Sequence, residues 1–434
     1  MKAYSTGYLI LREIIRIPYS LFYRKISVIG KENIPKNKPV IFAPNHQNAL
    51  MDPLAMIFST PKQIVFLARG DIFKGNMVIK LFNFLKILPV YRQHDGKDAL
   101  KKNDAVFDES VDYLEQSGAF CLFPESIHNP HRNLRPLKKG IPRIAFMALR
   151  KTNFNLDIQI IPTGIYYQDK DSSYSYLQIQ YGKPIPVSQY VDLVKENEQK
   201  AMVKLSKDMA PLIKPLIIDI EENENYERIE SIRKLYSDVL MQQMKLKIND
   251  ENRFKTDQFI IKQLSKATFS KKLKHNIEAI EEQIKTKRIA YDLIFKNENF
   301  FSLLGKMLLF IILFPIAFQG AIINVIPFRL SKYLRTNFIK DPQFTSSIKF
   351  VVGAFVMPIY FLLLSLLSLI FIDYRWSVLI LFLLPFTSYI SYLYFKKIKL
   401  FIAFLSYRNS KSKIIIEPLK NDLFAELELL IKIE

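Results

Sequence analysis

The chain has 434 residues, 49% of them apolar and 13% aromatic, which is enough to bury cores in two or three domains and too much for a disordered chain. Lys and Arg outnumber Asp and Glu by 62 to 41, and the resulting net charge of +21 favours anionic partners: nucleic acid, acidic lipid surfaces or phosphorylated small molecules. The single cysteine, Cys121, excludes an intrachain disulfide framework and a Cys-based zinc cluster, and fits a reducing compartment.

Residues 1–24 do not read as a signal peptide, because Arg12, Glu13, Arg16 and Arg24 interrupt the apolar runs. The stretch Tyr8 to Tyr23 reads equally as an interfacial amphipathic helix at the headgroup level and as a helix packed on its own domain. Residues 25–215 alternate short apolar runs with longer mixed segments. Strands are expected over 39–43, 63–68, 119–123 and 158–165, giving an α/β sheet domain. Residues 216–300 are rich in charge, with apolar side chains three or four apart (Tyr226, Ile229, Ile232, Leu235 and Val239, then Ile277, Ile280 and Ile284), and are expected to form an amphipathic helical region.

Residues 301–395 differ again. Uncharged runs of 22, 23 and 20 residues lie between Lys306 and Arg329, Lys349 and Asp373, and Arg375 and Lys396. Each is long enough to span a hydrocarbon core of about 30 Å, so a membrane protein is expected. The second and third runs form a tight hairpin with Trp376 at its border. The first is interrupted by Pro315, Gln319, Gly320 and Pro327, which suggests a re-entrant or surface-lying segment over 307–328. Arg329, Lys332, Arg335, Lys340 and Lys349, and the Lys396, Lys397 and Lys399 that open the tail 396–434, place both basic stretches in the cytoplasm and imply two crossings. No internal repeat is visible.

The chemistry clusters in the α/β segment. Asn45-His46-Gln47-Asn48-Ala49-Leu50-Met51-Asp52-Pro53 follows an expected strand almost directly. Asp52 before Pro53 reads as an acidic N-cap with proline in the first turn, leaving His46 in the connecting loop. A carboxylate can orient an imidazole as a general base, but residues six apart on a continuous helix diverge by about 120°, so the two meet only across a turn. Alone, such a pair is more often structural. Three further motifs follow: Leu88-Pro89-Val90-Tyr91-Arg92, Phe123-Pro124-Glu125-Ser126 at a strand end, and Ile161-Pro162-Thr163-Gly164.

This ordered set, introduced by Val28-Ile29-Gly30-Lys31-Glu32-Asn33-Ile34-Pro35, resembles the glycerolipid acyltransferases, which acylate glycerol-3-phosphate and lysophosphatidic acid; the likeness covers roughly residues 25–190. The resemblance implies that His46 deprotonates the acceptor hydroxyl and that Asp52 orients it. Arg92 would hold the acceptor phosphate, Phe123, Pro124, Glu125 and Ser126 would form the acceptor-binding block, and Pro162 would belong to the fourth block. An Arg is also the expected phosphate clamp on chemical grounds, because its planar fork donates two hydrogen bonds, although Arg92 reads equally as a surface salt-bridge residue. Lys138 and Lys139 read equally as phosphate ligands and as a solvated pair.

Two departures stand out. Five residues separate His46 from Asp52 where four are usual, as in some fungal-type enzymes of this family, and Ser126-Ile127-His128 replaces the usual Gly-Thr-Arg. The missing Arg leaves His128, His131 or Arg132 to take over its phosphate contact. Cys121 reads as core packing, and no G-x-S-x-G suggests a serine hydrolase. His46, His94, His128, His131 and His275 lack metal-ligand spacing, so no metal and no cofactor are expected, with acyl-CoA or acyl carrier protein as co-substrate.

The expected protein is therefore an α/β acyltransferase domain with a helical extension and C-terminal transmembrane helices. It would face the cytoplasm and transfer an acyl group from a thioester to glycerol-3-phosphate or its 1-acyl form, with another lysolipid or an aminolipid as alternative acceptor. Membrane lipids are expected partners; oligomeric state is left open. A catalytically inactive anionic-lipid binder is disfavoured by the presence of both His46 and Asp52. A nucleic-acid binder is disfavoured by the spread of the positive charge and the absence of a binding motif.

Overall fold

A computed structural model of the chain describes residues 4–91, 97–126, 129–287, 291, 299–408 and 410–432. The chain divides into two compact units, one of Met1–Asp219 with Ile339–Phe350 and the other of Ile220–Phe338 with Val351–Glu434.

The first unit is built on an eight-stranded sheet. Its strands are β1 (Lys25–Ile29), β2 (Val40–Pro44), β3 (Ile64–Arg69), β4 (Ile87–Val90), β5 (Ala119–Cys121), β6 (Gln159–Tyr167), β7 (Tyr176–Tyr181) and β8 (Ile185–Pro186), in the order β1-β7-β6-β2-β5-β3-β4 with β8 paired to β6. Pairing is parallel between β1 and β7 and from β6 through β2, β5 and β3 to β4. It is antiparallel where β6 meets β7 and β8. All five residues of β2 are buried, as a strand covered on both faces requires, and its continuous Val-Ile-Phe-Ala sequence supplies that lining. Phe42 lies in register with Cys121 and Ile161, and Ala43 with Pro162. The parallel centre therefore brings the carboxyl ends of β2 and β5 to one edge, where ligands of open α/β sheets bind.

Helices α1 (Thr6–Phe22), α2 (Met51–Ser59), α3 (Asn76–Phe84), α4 (Lys97–Glu115), α5 (Gly140–Lys151) and α6 (Val191–Ile213) also belong to this unit. In α5 the side chains of Ile141, Ile144, Ala145, Ala148 and Leu149 are buried, an i, i+3, i+4 face laid on the core with Ile41, Phe120 and Ile160. Helix α1 packs on its own unit through one face and leaves the opposite apolar face uncovered. Tyr8 and Tyr19 are buried within the unit, while Ile10, Ile14, Ile17 and Leu21 form an exposed apolar stripe.

The four strands expected from the sequence correspond to β2, β3, β5 and β6 within one or two residues. The Leu88-Pro89-Val90 part of the motif that runs to Arg92 lies within β4: Leu88 pairs with Leu67 and Pro89 with Ala68 on the sheet edge, the position where a strand tolerates proline.

The second unit holds α7 (Tyr226–Gln243), α8 (Asp250–Leu264) and α9 (Lys271–Lys287), followed by α10 (Phe300–Asn337). Next in the chain is α11 (Thr345–Val351), most of which belongs to the first unit. The second unit then resumes with α12 (Met357–Ser368), α13 (Tyr374–Arg408) and α14 (Lys411–Leu430). Ile229, Ile232, Leu235, Ile277, Ile280 and Ile284 are buried, as the helical period anticipates. Arg233 is buried between α7 and α8, donating to Glu230 and to Asp257, so its charge is compensated by two carboxylates.

Among the described residues, three helices are long and apolar enough to cross a membrane: Phe300–Asn337, Pro342–Ser368 and Tyr374–Arg408. The prolines expected to interrupt 307–328 do not interrupt the helix, and α10 runs unbroken through Pro315 and Pro327. Neighbouring helices explain why. Pro327 lacks the N–H that would bond the carbonyl of Ile323, and the Tyr360 hydroxyl donates to that oxygen instead, at 2.9 Å. Gly320 allows α13 to approach so closely that a Cβ there would lie 2.7 Å from Ser391 Cβ. Ser391 Oγ then donates to the Ala317 carbonyl at 2.8 Å, and Asn324 Nδ2 donates to Ser388 Oγ at 2.7 Å.

Candidate active site

The loop leaving β2 carries the motif. Helix α2 begins at Met51, with Leu50 as N-cap, so Asp52 is not the cap expected from the sequence. It sits in the first turn and reaches back over the loop. Its Oδ2 accepts from the backbone N–H groups of Gln47 and Asn48, both at 2.7 Å, and lies 2.8 Å from His46 Nδ1. Residues 46–51 thus form the turn that the spacing demanded, and Ala49 adopts a left-handed φ of 30° within it. Nδ1–H donation to the carboxylate fixes the ring tautomer and leaves the lone pair on Nε2, the atom that can accept a proton.

Asp52 is fully buried, and three of the groups that meet its carboxylate are His46 and the two loop amides. The fourth is the Tyr167 hydroxyl at the end of β6, which donates to Oδ1 at 2.7 Å. Burial, reinforced by the charge of Asp52, pushes the Tyr167 phenol well above its ordinary range and keeps it protonated as that donor. Tyr167 was not recognised in the sequence; it lies 115 residues from Asp52, and only the pairing of β6 with β2 brings it near. Asn45 escaped notice as well: its side chain accepts from Ile165 N–H at 2.7 Å and donates to Ile165 O at 3.1 Å, anchoring the start of the loop to β6.

The Phe123-Pro124-Glu125-Ser126 block meets the same histidine. Phe123 stacks on the His46 ring, centroids 4.0 Å apart and planes 19° apart. Glu125 is buried, with Oε1 accepting the His46 backbone N–H at 2.8 Å and Oε2 that of Arg135 at 3.0 Å. Its carboxylate therefore clamps two loops. Burial outweighs those two hydrogen bonds and raises its pKa to about 7. The Pro124 carbonyl accepts from the Lys138 backbone N–H at 2.7 Å. Ser126 has φ of 64°, a left-handed conformation that accounts for the glycine usual at this point of the motif.

The remaining predicted residues are spread more widely. Lys138 and Lys139 are both exposed, and Lys139 Nζ donates to Gln199 on α6 at 3.4 Å. Pro162 lies within β6, buried beside Ala43. Arg92, His94 and His128 lie outside the described residues. Arg132 donates to the carbonyls of Tyr167 and Gln168, at 3.0 and 3.2 Å, which ties its loop to the end of β6. The His131 carbonyl accepts from Gln47 Nε2 at 3.4 Å. Cys121 is buried and its thiol is pushed well above the usual range, first by burial and then by the charge of Asp52, so it is core and not nucleophile.

Comparison with known proteins agrees with the motifs. Residues 25–166 match the family described as Acyltransferase. The 1-acyl-sn-glycerol-3-phosphate acyltransferase of Borreliella burgdorferi is 27% identical over 161 residues, covering 37% of this chain and 61% of that protein. Glycerol-3-phosphate O-acyltransferase 2 of Saccharomyces cerevisiae is 24% identical over 138 residues, 32% of this chain and 18% of the yeast protein. A probable 1-acyl-sn-glycerol-3-phosphate acyltransferase of Mycoplasma pneumoniae is 25% identical over 129 residues, 29% of this chain and 46% of that protein. The chain thus spans less than two thirds of each of these relatives, and the family match includes His46, Asp52 and Glu125.

Proposed function

We propose that this chain, whose residues 25–166 form a domain of the acyltransferase family, moves a fatty acyl group from an acyl thioester to a hydroxyl of glycerol-3-phosphate or of 1-acyl-glycerol-3-phosphate. The observation that carries this reading is the His46 Nδ1 to Asp52 Oδ2 contact of 2.8 Å, with the carboxylate buried and held by three further donors. His46 Nε2 takes the proton from the acceptor hydroxyl as its oxygen attacks the thioester carbonyl. The carbon–sulfur bond breaks as the ester bond forms, and the imidazolium returns the proton to the departing thiolate. Asp52 stabilises the imidazolium in between and stays ionised. The acyl group passes directly from donor to acceptor, consistent with an un-ionised Cys121.

The donor in this reading is acyl-CoA or acyl carrier protein, and the acceptor phosphate is held by Arg92 and neighbouring cations. Membrane attachment is supported by the three long apolar helices and by the exposed stripe of α1, since long-chain lipids partition into a bilayer at about 0.8 kcal/mol per methylene. A cytoplasmic position of the catalytic unit is supported by Lys340 and Lys349, which lie in the basic segment 339–350 that belongs to it.

The test incubates membranes containing the full chain with radiolabelled acyl donor and a panel of glycerol-3-phosphate, its 1-acyl form and a lyso-aminolipid, then identifies the labelled product. Label in phosphatidic acid or its lyso form is expected, and His46→Ala should lower it at least about 10²-fold. No labelled glycerolipid, or equal labelling by His46→Ala, defeats the proposal.

A further inference from the structure

The catalytic unit contains a piece of chain that lies far outside the region matched to the acyltransferase family, which ends at residue 166. Ile339–Phe350 follows α10 and returns to this unit, where Thr345, Ser346, Ser347, Ile348 and Phe350 are all buried. A buried hydroxyl needs a hydrogen-bond partner, and those of Ser346 and Ser347 find theirs beside the His46–Asp52 turn. Ser347 Oγ accepts from the backbone N–H of Leu50, the N-cap of α2, at 3.2 Å. Ser346 Oγ donates to the Lys170 carbonyl at 2.5 Å, and that same oxygen accepts from Asn48 Nδ2 at 2.9 Å. Lys349 Nζ donates to the next carbonyl, that of Asp171, at 2.7 Å. Phe350 meets Tyr19 edge-on, centroids 5.8 Å apart, and the Tyr19 hydroxyl donates to Met51 O at 3.3 Å.

We infer that Ser346, Ser347 and Phe350 are positioning residues for the catalytic pair, forming a brace that holds the turn of residues 46–52 from outside. The turn has one residue more than the usual spacing and carries a left-handed alanine, so its own geometry does not favour the conformation that brings His46 to Asp52. Asp52 pins it from within through the backbone amides of Gln47 and Asn48. The brace acts on different atoms of the same turn: the Asn48 side chain, the Leu50 N–H and, through Tyr19, the Met51 carbonyl. The two sets together fix both flanks of a loop whose displacement by about 1 Å would cost up to about 10²-fold in rate.

The kinetic arm of the test rests on the acyl-transfer reading; the exchange arm does not. In the full chain, Ser346→Ala combined with Ser347→Ala is expected to lower kcat about tenfold, with the KM of donor and acceptor unchanged within about twofold. Ser347→Thr keeps the accepting oxygen and should retain near wild-type kcat. Independently, hydrogen–deuterium exchange of a peptide covering residues 44–52 should quicken in the double variant, while one covering β6 stays as slow as in wild type. Ser347→Ala alone should show the same pattern to a lesser degree. Unchanged exchange over 44–52 overturns the brace whatever the enzyme's activity. So does a general loss of protection that reaches β6, because the segment would then stabilise the whole unit without positioning the turn. A wild-type chain without acyl transfer would sink the proposed reaction and leave the exchange result to decide the brace.

Discussion

Asp52→Asn separates charge from shape at the centre of the site. The carboxylate accepts three hydrogen bonds at Oδ2 and one, from Tyr167, at Oδ1. A carboxamide can keep its oxygen toward His46, Gln47 and Asn48 and turn its NH2 toward the Tyr167 hydroxyl, which rotates to accept. The turn should survive, and what disappears is the negative charge facing the imidazolium. Two unit charges about 4 Å apart at an effective dielectric of about 20 interact by about 4 kcal/mol. With proton transfer half to fully complete in the transition state, the loss is about 2 to 4 kcal/mol, or roughly 30- to 1,000-fold in kcat. Asp52 is fully buried, so the KM of donor and acceptor should stay within about twofold. Initial rates with radiolabelled donor on the purified full chain measure all three constants. A kcat within threefold of wild type, or a raised KM with kcat intact, would refute the assignment of Asp52 to the imidazolium.

Removing the phenol in Tyr167→Phe leaves Oδ1 of a buried carboxylate short of a donor, and both kcat and unfolding free energy should fall, the latter by about 2 kcal/mol in denaturant titration. Glu125 has a pKa raised from 4.5 to about 7, chiefly by burial, so the folded state binds its proton more tightly than the unfolded chain does. Stability from this group is complete below about 4.5 and is lost as pH rises toward and through about 7. A displacement of that size is worth about 3 kcal/mol, and Glu125→Gln should flatten the resulting slope in urea titrations across the window. Ala49→Gly should relieve the left-handed strain and raise the unfolding free energy by about 1 kcal/mol, read as a higher Tm. Arg92→Ala should raise the acceptor KM well above any change in the donor KM; equal changes would contradict a phosphate-holding role.

What could be read from the residues was whatever depends on neighbours in sequence. The four central strands are short apolar runs between turns, and His46 with Asp52 sits at the end of one of them, so strand, loop and candidate base were all visible locally. Partners distant in the chain were not. Tyr167 is an ordinary tyrosine in an apolar run until β6 pairs with β2, and Glu125 looks like part of a binding block until its two oxygens are seen to hold His46 and Arg135. The continuity of α10 through its prolines was not legible for the same reason: the hydroxyl that accommodates Pro327 belongs to Tyr360, on another helix. The preference of acidic residues before proline for the cap put the start of α2 at Asp52, whereas Leu50 is the cap and the Asp52 side chain is engaged with the loop behind it.

The catalytic unit is not contiguous: after Asp219 it lacks only Ile339–Phe350, which the ribosome supplies much later. At about 5 to 20 residues per second, the nascent sheet waits roughly 7 to 26 seconds for its final piece, with the apolar helix α10 emerging in the interval. Maturation of the turn is thereby tied to the order of translation, and a gene fragment that stops at the end of the sheet would encode a product that never receives its last strut.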